Sequence, residues 1–161
     1  MSIKQVIVLR TKFPDGRGGT MGMRLGKIGA QIAHASEKVF FDRATKGFIT
    51  ALTRHQGETA SSEDIYLDYG PNCLVIPLTP DMASWVNGMF TKIVLGVDTE
   101  EELLAVHEAA KAAGLPTALI QDMGATEFGG VPTFTTVAIG PADAIEIDKI
   151  TRDGNVKCRL L

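Results

Sequence analysis

Val6-Ile-Val-Leu9 is an apolar run without a polar break, bounded by Gln5 and Arg10. A strand with one wet face alternates polar and apolar residues. An unbroken, β-branched run this short marks a strand covered on both sides, at the centre of a sheet. Each face of that sheet then needs a layer packed against it, and the rest of the chain supplies candidates. Lys92–Val97, Thr117–Gln121, Thr135–Ile139 and Val156–Leu161 read as further strands. Between them, Ile28, Ile32, Ala35 and Val39 recur at spacings of four, three and four, the stripe of an amphipathic helix. Phe40, Phe41, Ala44, Phe48, Ile49 and Leu52 extend that packing as a second helix with a break near Gly47. Thr79-Pro80 starts a short helix through Trp85, with Thr79 as N-cap. Thr99-Glu-Glu-Glu102 is a capping box whose helix runs to Gly114, and Asp143–Ile150 is a last short helix. Strands alternating with helices predict an α/β fold in three layers, a parallel or mixed sheet with helices on both faces.

Two stretches interrupt this pattern. Lys12–Met23 contains Pro14, Gly16, Gly18, Gly19 and Gly22, has no periodicity and is read as a loop presenting Arg17 and Arg24. Residues 55–80 are polar at first and then carry Cys73-Leu-Val-Ile76, the pattern of an insertion with one edge strand. With 161 residues the chain suits a single domain spanning 1–161, this insertion included. No apolar run is long enough for a membrane span, and Met1–Leu9 is too short for the apolar region of a signal peptide. The expectation is a cytoplasmic protein with no membrane partner. Cys73 and Cys158 share no metal-type spacing and are expected to be reduced thiols.

Charge is divided unevenly. Residues 1–54 hold ten Lys or Arg against three acids, a net of +7, whereas the remainder nets −10. Such a split suits a face built for a polyanion, and equally an uneven solvated surface.

In open α/β sheets the reactive crevice lies beyond the carboxyl ends of the strands. Two segments qualify: Arg10–Lys27 after the first strand, and Asp122-Met-Gly-Ala-Thr126 after the Thr117 strand. Lys27 falls in the first turn of a helix, where a cation opposes the helix dipole but joins free N–H groups in attracting an anion. Taken alone it reads more simply as a lysine projecting into water. A phosphate-binding P-loop does not fit, because Met21 stands five before Gly26 and Ile28 follows Lys27. Asp122 before Gly124 reads as a turn former, or as a carboxylate that orients or deprotonates water with the Thr126 hydroxyl beside it. His34 lies two turns along from Lys27 and shares a face with Gln31. No nucleophile elbow, no HExxH and no cluster of metal ligands is present in the sequence, which disfavours covalent and metal catalysis.

An ordered set of segments resembles the type II peptidyl-tRNA hydrolases: Val6–Thr11, Gly26–Ala35, Trp85, Lys92–Leu95, Gly114–Asp122, Gly124, Thr126 and Val137–Pro141. The resemblance implies a mixed four-stranded sheet between helices, often in a homodimer, that cuts the ester between a peptide and the terminal ribose of tRNA without metal or cofactor. By position it implies catalytic roles for Lys27, Asp122 and Thr126, with peptidyl-tRNA contacted by Thr135, His34, Gln31, Arg24 and Arg17. Thr135 stands one residue later than the family's threonine. Ala125 replaces a basic residue and Glu127 a glutamine, and the 12–23 loop is longer than usual. These departures keep a non-catalytic RNA- or protein-binding module, and a hydrolase of another small ester or amide, open as alternatives.

Overall fold

The computed structural model describes residues 2–46 and 74–161. In chain order the elements are β1 (Ile3–Arg10), β2 (Phe13–Pro14), β3 (Thr20–Met21), α1 (Leu25–Phe41), β4 (Thr45–Lys46), β5 (Leu74–Val75), α2 (Pro80–Val86), β6 (Lys92–Val97), α3 (Glu100–Ala112), β7 (Thr117–Asp122), β8 (Thr133–Asp143), α4 (Ala144–Thr151) and β9 (Arg159–Leu160). Contacts divide the chain into two compact units, 1–42 with 78–161, and 43–77.

In the larger unit β1 is central, as its unbroken apolar run demands. It pairs in parallel with β6 and antiparallel with β8, within a sheet ordered β7-β8-β1-β6-β9. Its side chains alternate between two cores. Val6 and Val8 pack with Leu103, Val106 and Ala110 of α3 and Ile147 and Ile150 of α4, whereas Ile7 packs with Ala35 and Val39 of α1 and Met82 of α2. Helices therefore cover both faces. Each fully buried aliphatic side chain contributes about 1.5–3 kcal/mol, and four consecutive ones explain why β1 holds the middle.

The sheet has five strands rather than the four that the resemblance implies, because Arg159 and Leu160, within the strand read over Val156–Leu161, pair antiparallel with Gly96 and Leu95 along the edge of β6. Only β1 and β6 run in parallel; β7–β8, β8–β1 and β6–β9 are antiparallel.

Local signals hold where they are dense. Thr99 and Glu102 form the reciprocal capping box of α3, and Gly114 ends it with φ +69°. Thr79 caps α2 by accepting from the Met82 N–H.

Two expectations need correction. α1 continues through Phe41 instead of yielding to a second helix, because Phe40 prolongs the stripe and stacks on Trp85 at 5.9 Å. The chain then turns at Asp42 and Arg43, and Gly47, Phe48, Ile49 and Leu52 lie outside the described residues. The 12–23 stretch is a small ribbon, Phe13 pairing with Met21 and Pro14 with Thr20 around Asp15, whose Oδ1 accepts from the Arg17 and Gly19 N–H groups.

In the smaller unit β4 and β5 form an antiparallel pair, and Arg43 Nε donates to the Pro77 carbonyl at 3.2 Å. Cys73 and most of the 55–80 stretch lie outside the described residues. Among the described residues no helix is long and apolar enough to cross a membrane.

Candidate active site

β1, β6 and β7 point the same way, so Arg10, Val97 and Asp122 finish at one edge of the sheet, where α1 begins. α1 opens with Arg24 as an N-cap whose side chain makes no capping bond and with no acidic residue in the first turn. Lys27 is its third residue, and this weakly capped turn directs the ammonium toward the end of β7. Lys27 Nζ donates to Asp122 Oδ2 at 2.6 Å and to Thr126 Oγ1 at 3.1 Å. The Lys27 and Asp122 side chains retain only 15% and 14% of their exposure, so the pair is shielded yet reachable.

The two carboxylate oxygens of Asp122 have different partners. Oδ1 accepts from the Gly124 N–H at 2.8 Å, shaping the turn. Oδ2 takes Lys27 and, at 2.8 Å, Gln31 Nε2. Gln31 is buried one turn after Lys27, and its Oε1 accepts from the buried Thr135 hydroxyl at 2.5 Å. A carboxylate can only accept, so the amide must turn Nε2 to Asp122, which leaves Oε1 to accept from the Thr135 hydroxyl. Thr135 reaches Gln31 because the β7–β8 register slips between Ile120 and Gln121. Such a bulge re-aims a side chain near a site.

Burial acts to raise the Asp122 carboxyl. The Lys27 hydrogen bond, the Gly124 N–H, the Lys27 charge and Gln31 together outweigh it and hold the group below the ordinary carboxylate value.

Lys27, Gln31, Asp122, Thr126 and Thr135 thus form one connected network. Arg24 borders it through Nε, which donates to Glu127 Oε1 at 2.5 Å. Arg17 and His34 are exposed and join none of its hydrogen bonds. Gln31 and Thr135 are buried behind Asp122. Their reach is to the carboxylate and not to the surface.

Sequence reasoning missed the aromatic support. Phe128 lies 5.8 Å from Lys27 Nζ and packs on Phe13 at 4.7 Å, while Arg10 lies over Phe13 at 4.6 Å and bonds Glu100. Their signal was available: two aromatic residues set inside glycine-rich loops that have no other reason to hold them. Among the described residues no three of His, Cys, Asp and Glu gather closely enough to hold a metal ion.

Comparison with known proteins gives this arrangement a context. The sequence profile of the family described as "Peptidyl-tRNA hydrolase PTH2" matches residues 3–155. A Halobacterium salinarum protein named peptidyl-tRNA hydrolase is 34% identical over 155 residues, covering 94% of this chain and 96% of its own. Proteins of the same name from Methanopyrus kandleri and Sulfurisphaera tokodaii are 33% and 31% identical, covering 93% and 95% of this chain and 94% and 97% of theirs. Extended over nearly all of both chains, this likeness identifies the chain as a member of the PTH2 family of peptidyl-tRNA hydrolases.

Proposed function

We propose that the chain hydrolyses the ester joining a peptide, or an N-blocked amino acid, to the terminal ribose of tRNA, without a metal. The observation that carries this reading is the 2.6 Å contact between Lys27 Nζ and Asp122 Oδ2. An ammonium and an ionised carboxylate at one shielded point suit a reaction in which water attacks a carbonyl and charge gathers on its oxygen.

The valences of the pair define the roles. Lys27 has three N–H donors, of which Asp122 and Thr126 take two, so one remains for the carbonyl oxygen as it becomes an oxyanion. Asp122 retains a free lone pair for a water O–H. Because its pKa is depressed, it is a weak base in the resting site, and its first task is to orient that water. As the water oxygen bonds to the carbonyl carbon, its proton passes to the carboxylate. When the tetrahedral adduct collapses, the ribose oxygen departs with that proton, leaving a free peptide acid and a ribose hydroxyl. Gln31 and Thr135 hold the carboxylate and touch no substrate, while Arg24 and Arg17 meet tRNA phosphates.

Release of the amino acid from N-acetylated aminoacyl-tRNA by the pure protein in EDTA tests this. No release at any protein concentration counts against it, and salt-dependent tRNA binding without release would assign the fold to RNA binding alone.

A further inference from the structure

The Asp122 turn walls a second feature, a cavity of about 590 Å³. That volume falls within the roughly 300–1,000 Å³ of pockets that hold small organic groups. It adjoins the reacting pair through three residues: Glu127 follows Thr126, Phe128 lies 5.8 Å from Lys27 Nζ, and Thr133 is the cross-strand partner of Asp122. Phe13, Phe128 and Val131 give it an apolar wall. Its charged lining consists of Arg10 against Asp15, Glu100 and Glu127. Arg10 is already spent on Glu100 and on the Lys12 carbonyl. Glu127 is 8% exposed, and while Oε1 holds Arg24, Oε2 is buried without a partner.

Resting on the hydrolase reading, the two halves of the substrate must leave the ester in different directions. The phosphate-bearing half suits Arg17, Arg24 and the weakly capped start of α1. A cavity with three carboxylates against one guanidinium repels phosphates and suits an acyl chain. We propose that this cavity receives the C-terminal side chain of the peptide, and that its carboxylates favour neutral and basic side chains over acidic ones.

Non-hydrolysable amides separate this inference from catalysis. The probes are 3′-(N-acetylphenylalanyl)amido-3′-deoxyadenosine and, lacking the acyl group, 3′-amino-3′-deoxyadenosine, with affinities read by titration calorimetry or NMR. Val131 is 61% exposed, so Val131→Trp fills the cavity from its rim at little risk to folding, which the melting temperature checks. It is expected to weaken the acylated probe about tenfold, the effect of overfilling a packed site, and to leave the amino-nucleoside unchanged. Equal losses for both probes would seat the adenine in the cavity and overturn the proposal, as would no change for either.

A second arm reads charge. The N-acetyllysyl amide is expected to bind several-fold more tightly than the N-acetylglutamyl amide, with the ratio shrinking in Glu127→Gln. Arg24, released from Glu127 in that variant, repels the lysyl probe and attracts the glutamyl one, so it moves the ratio in the same direction. Equal affinities in the unaltered protein would overturn the charge preference. Selective binding without turnover of the corresponding esters would sink the hydrolase reading and leave the acyl seat standing.

Discussion

Lys27 Nζ lies 2.6 Å from Asp122 Oδ2 although 95 residues separate them in the chain. Asp122→Asn keeps the volume and the hydrogen bond to the Gly124 N–H but removes the charge that, on the proposed mechanism, steers water and accepts its proton. Turnover of N-acetylaminoacyl-tRNA is expected to fall by about 10²–10⁴, the usual worth of a positioned acid–base group. The far-ultraviolet circular dichroism spectrum should stay unchanged. Full activity in this variant would remove Asp122 from the mechanism.

The same contact sets the acid behaviour. Because the Asp122 pKa is lower in the folded chain than in the unfolded one, its stabilising contribution is complete above the unfolded value, about 4. It disappears as pH falls through the folded value. The stability difference between the unaltered protein and Asp122→Asn should therefore be constant near neutrality and shrink below about pH 4. The acid limb of kcat/KM should likewise lie below the ordinary carboxylate range. Lys27→Met leaves burial as the dominant influence and should move whatever limb survives toward neutral pH.

On the proposed mechanism Gln31 and Thr135 act through Asp122, so their loss should change orientation more than binding. Thr135→Val removes the donor to Gln31 Oε1 and leaves that buried carbonyl oxygen unpaired, at a cost of about 1–3 kcal/mol in stability. The expected kinetic signature is kcat down roughly tenfold with KM nearly unchanged, as for an interaction that matters only in the transition state. A rise in KM with kcat intact would mean that these side chains reach the substrate.

Arg24 spends Nε on Glu127 while its side chain remains 75% exposed, so the terminal nitrogens can still meet phosphate. Replacing Arg24 or Arg17 by Ala should weaken binding of uncharged tRNA and flatten the plot of log K against log salt by about 0.7–0.9 for each phosphate no longer neutralised. Lys149→Ala, on α4 across the sheet and already paired with Glu146, should leave the slope alone.

What the sequence disclosed follows the range of the forces involved. The capping box at Thr99 and Glu102, the Thr79 cap and the Gly114 stop are settled within a few residues, and they appear where their local signals put them. β1 was legible because no polar residue interrupts Val6–Leu9. The strand that ends the chain was legible too, but its pairing with β6 was not, since the partner lies far away in the chain. The positions of Lys27 and Asp122 could be inferred from strand and helix ends, but their contact depends on how α1 lies across the sheet. The register slip that turns Thr135 toward Gln31 leaves no trace in composition, so the sequence does not disclose the bond between them.

Gly124 is the position where the backbone leaves the site no freedom. Its φ is +76°, and a Cβ there would come within 2.3 Å of the Val131 carbonyl oxygen and 2.7 Å of its nitrogen. Both are backbone atoms, so neither can swing aside as a side-chain tip would. Its N–H holds Asp122 Oδ1, and its carbonyl accepts from the Phe128 and Gly130 N–H groups. Gly124→Ala combines left-handed strain of about 1–2 kcal/mol with a clash of about 1–3 kcal/mol. At about 2–4 °C per kcal/mol for a chain of this size, the melting temperature should fall by roughly 4–20 °C. Gly114 is the natural control: its φ is +69°, but nothing lies within 4 Å of its added Cβ, and it lies away from the cavity. Gly114→Ala should therefore show only the strain component and retain turnover. If the two variants melt and react alike, the close approach of Gly124 to Val131 is not what holds the Asp122 turn in place.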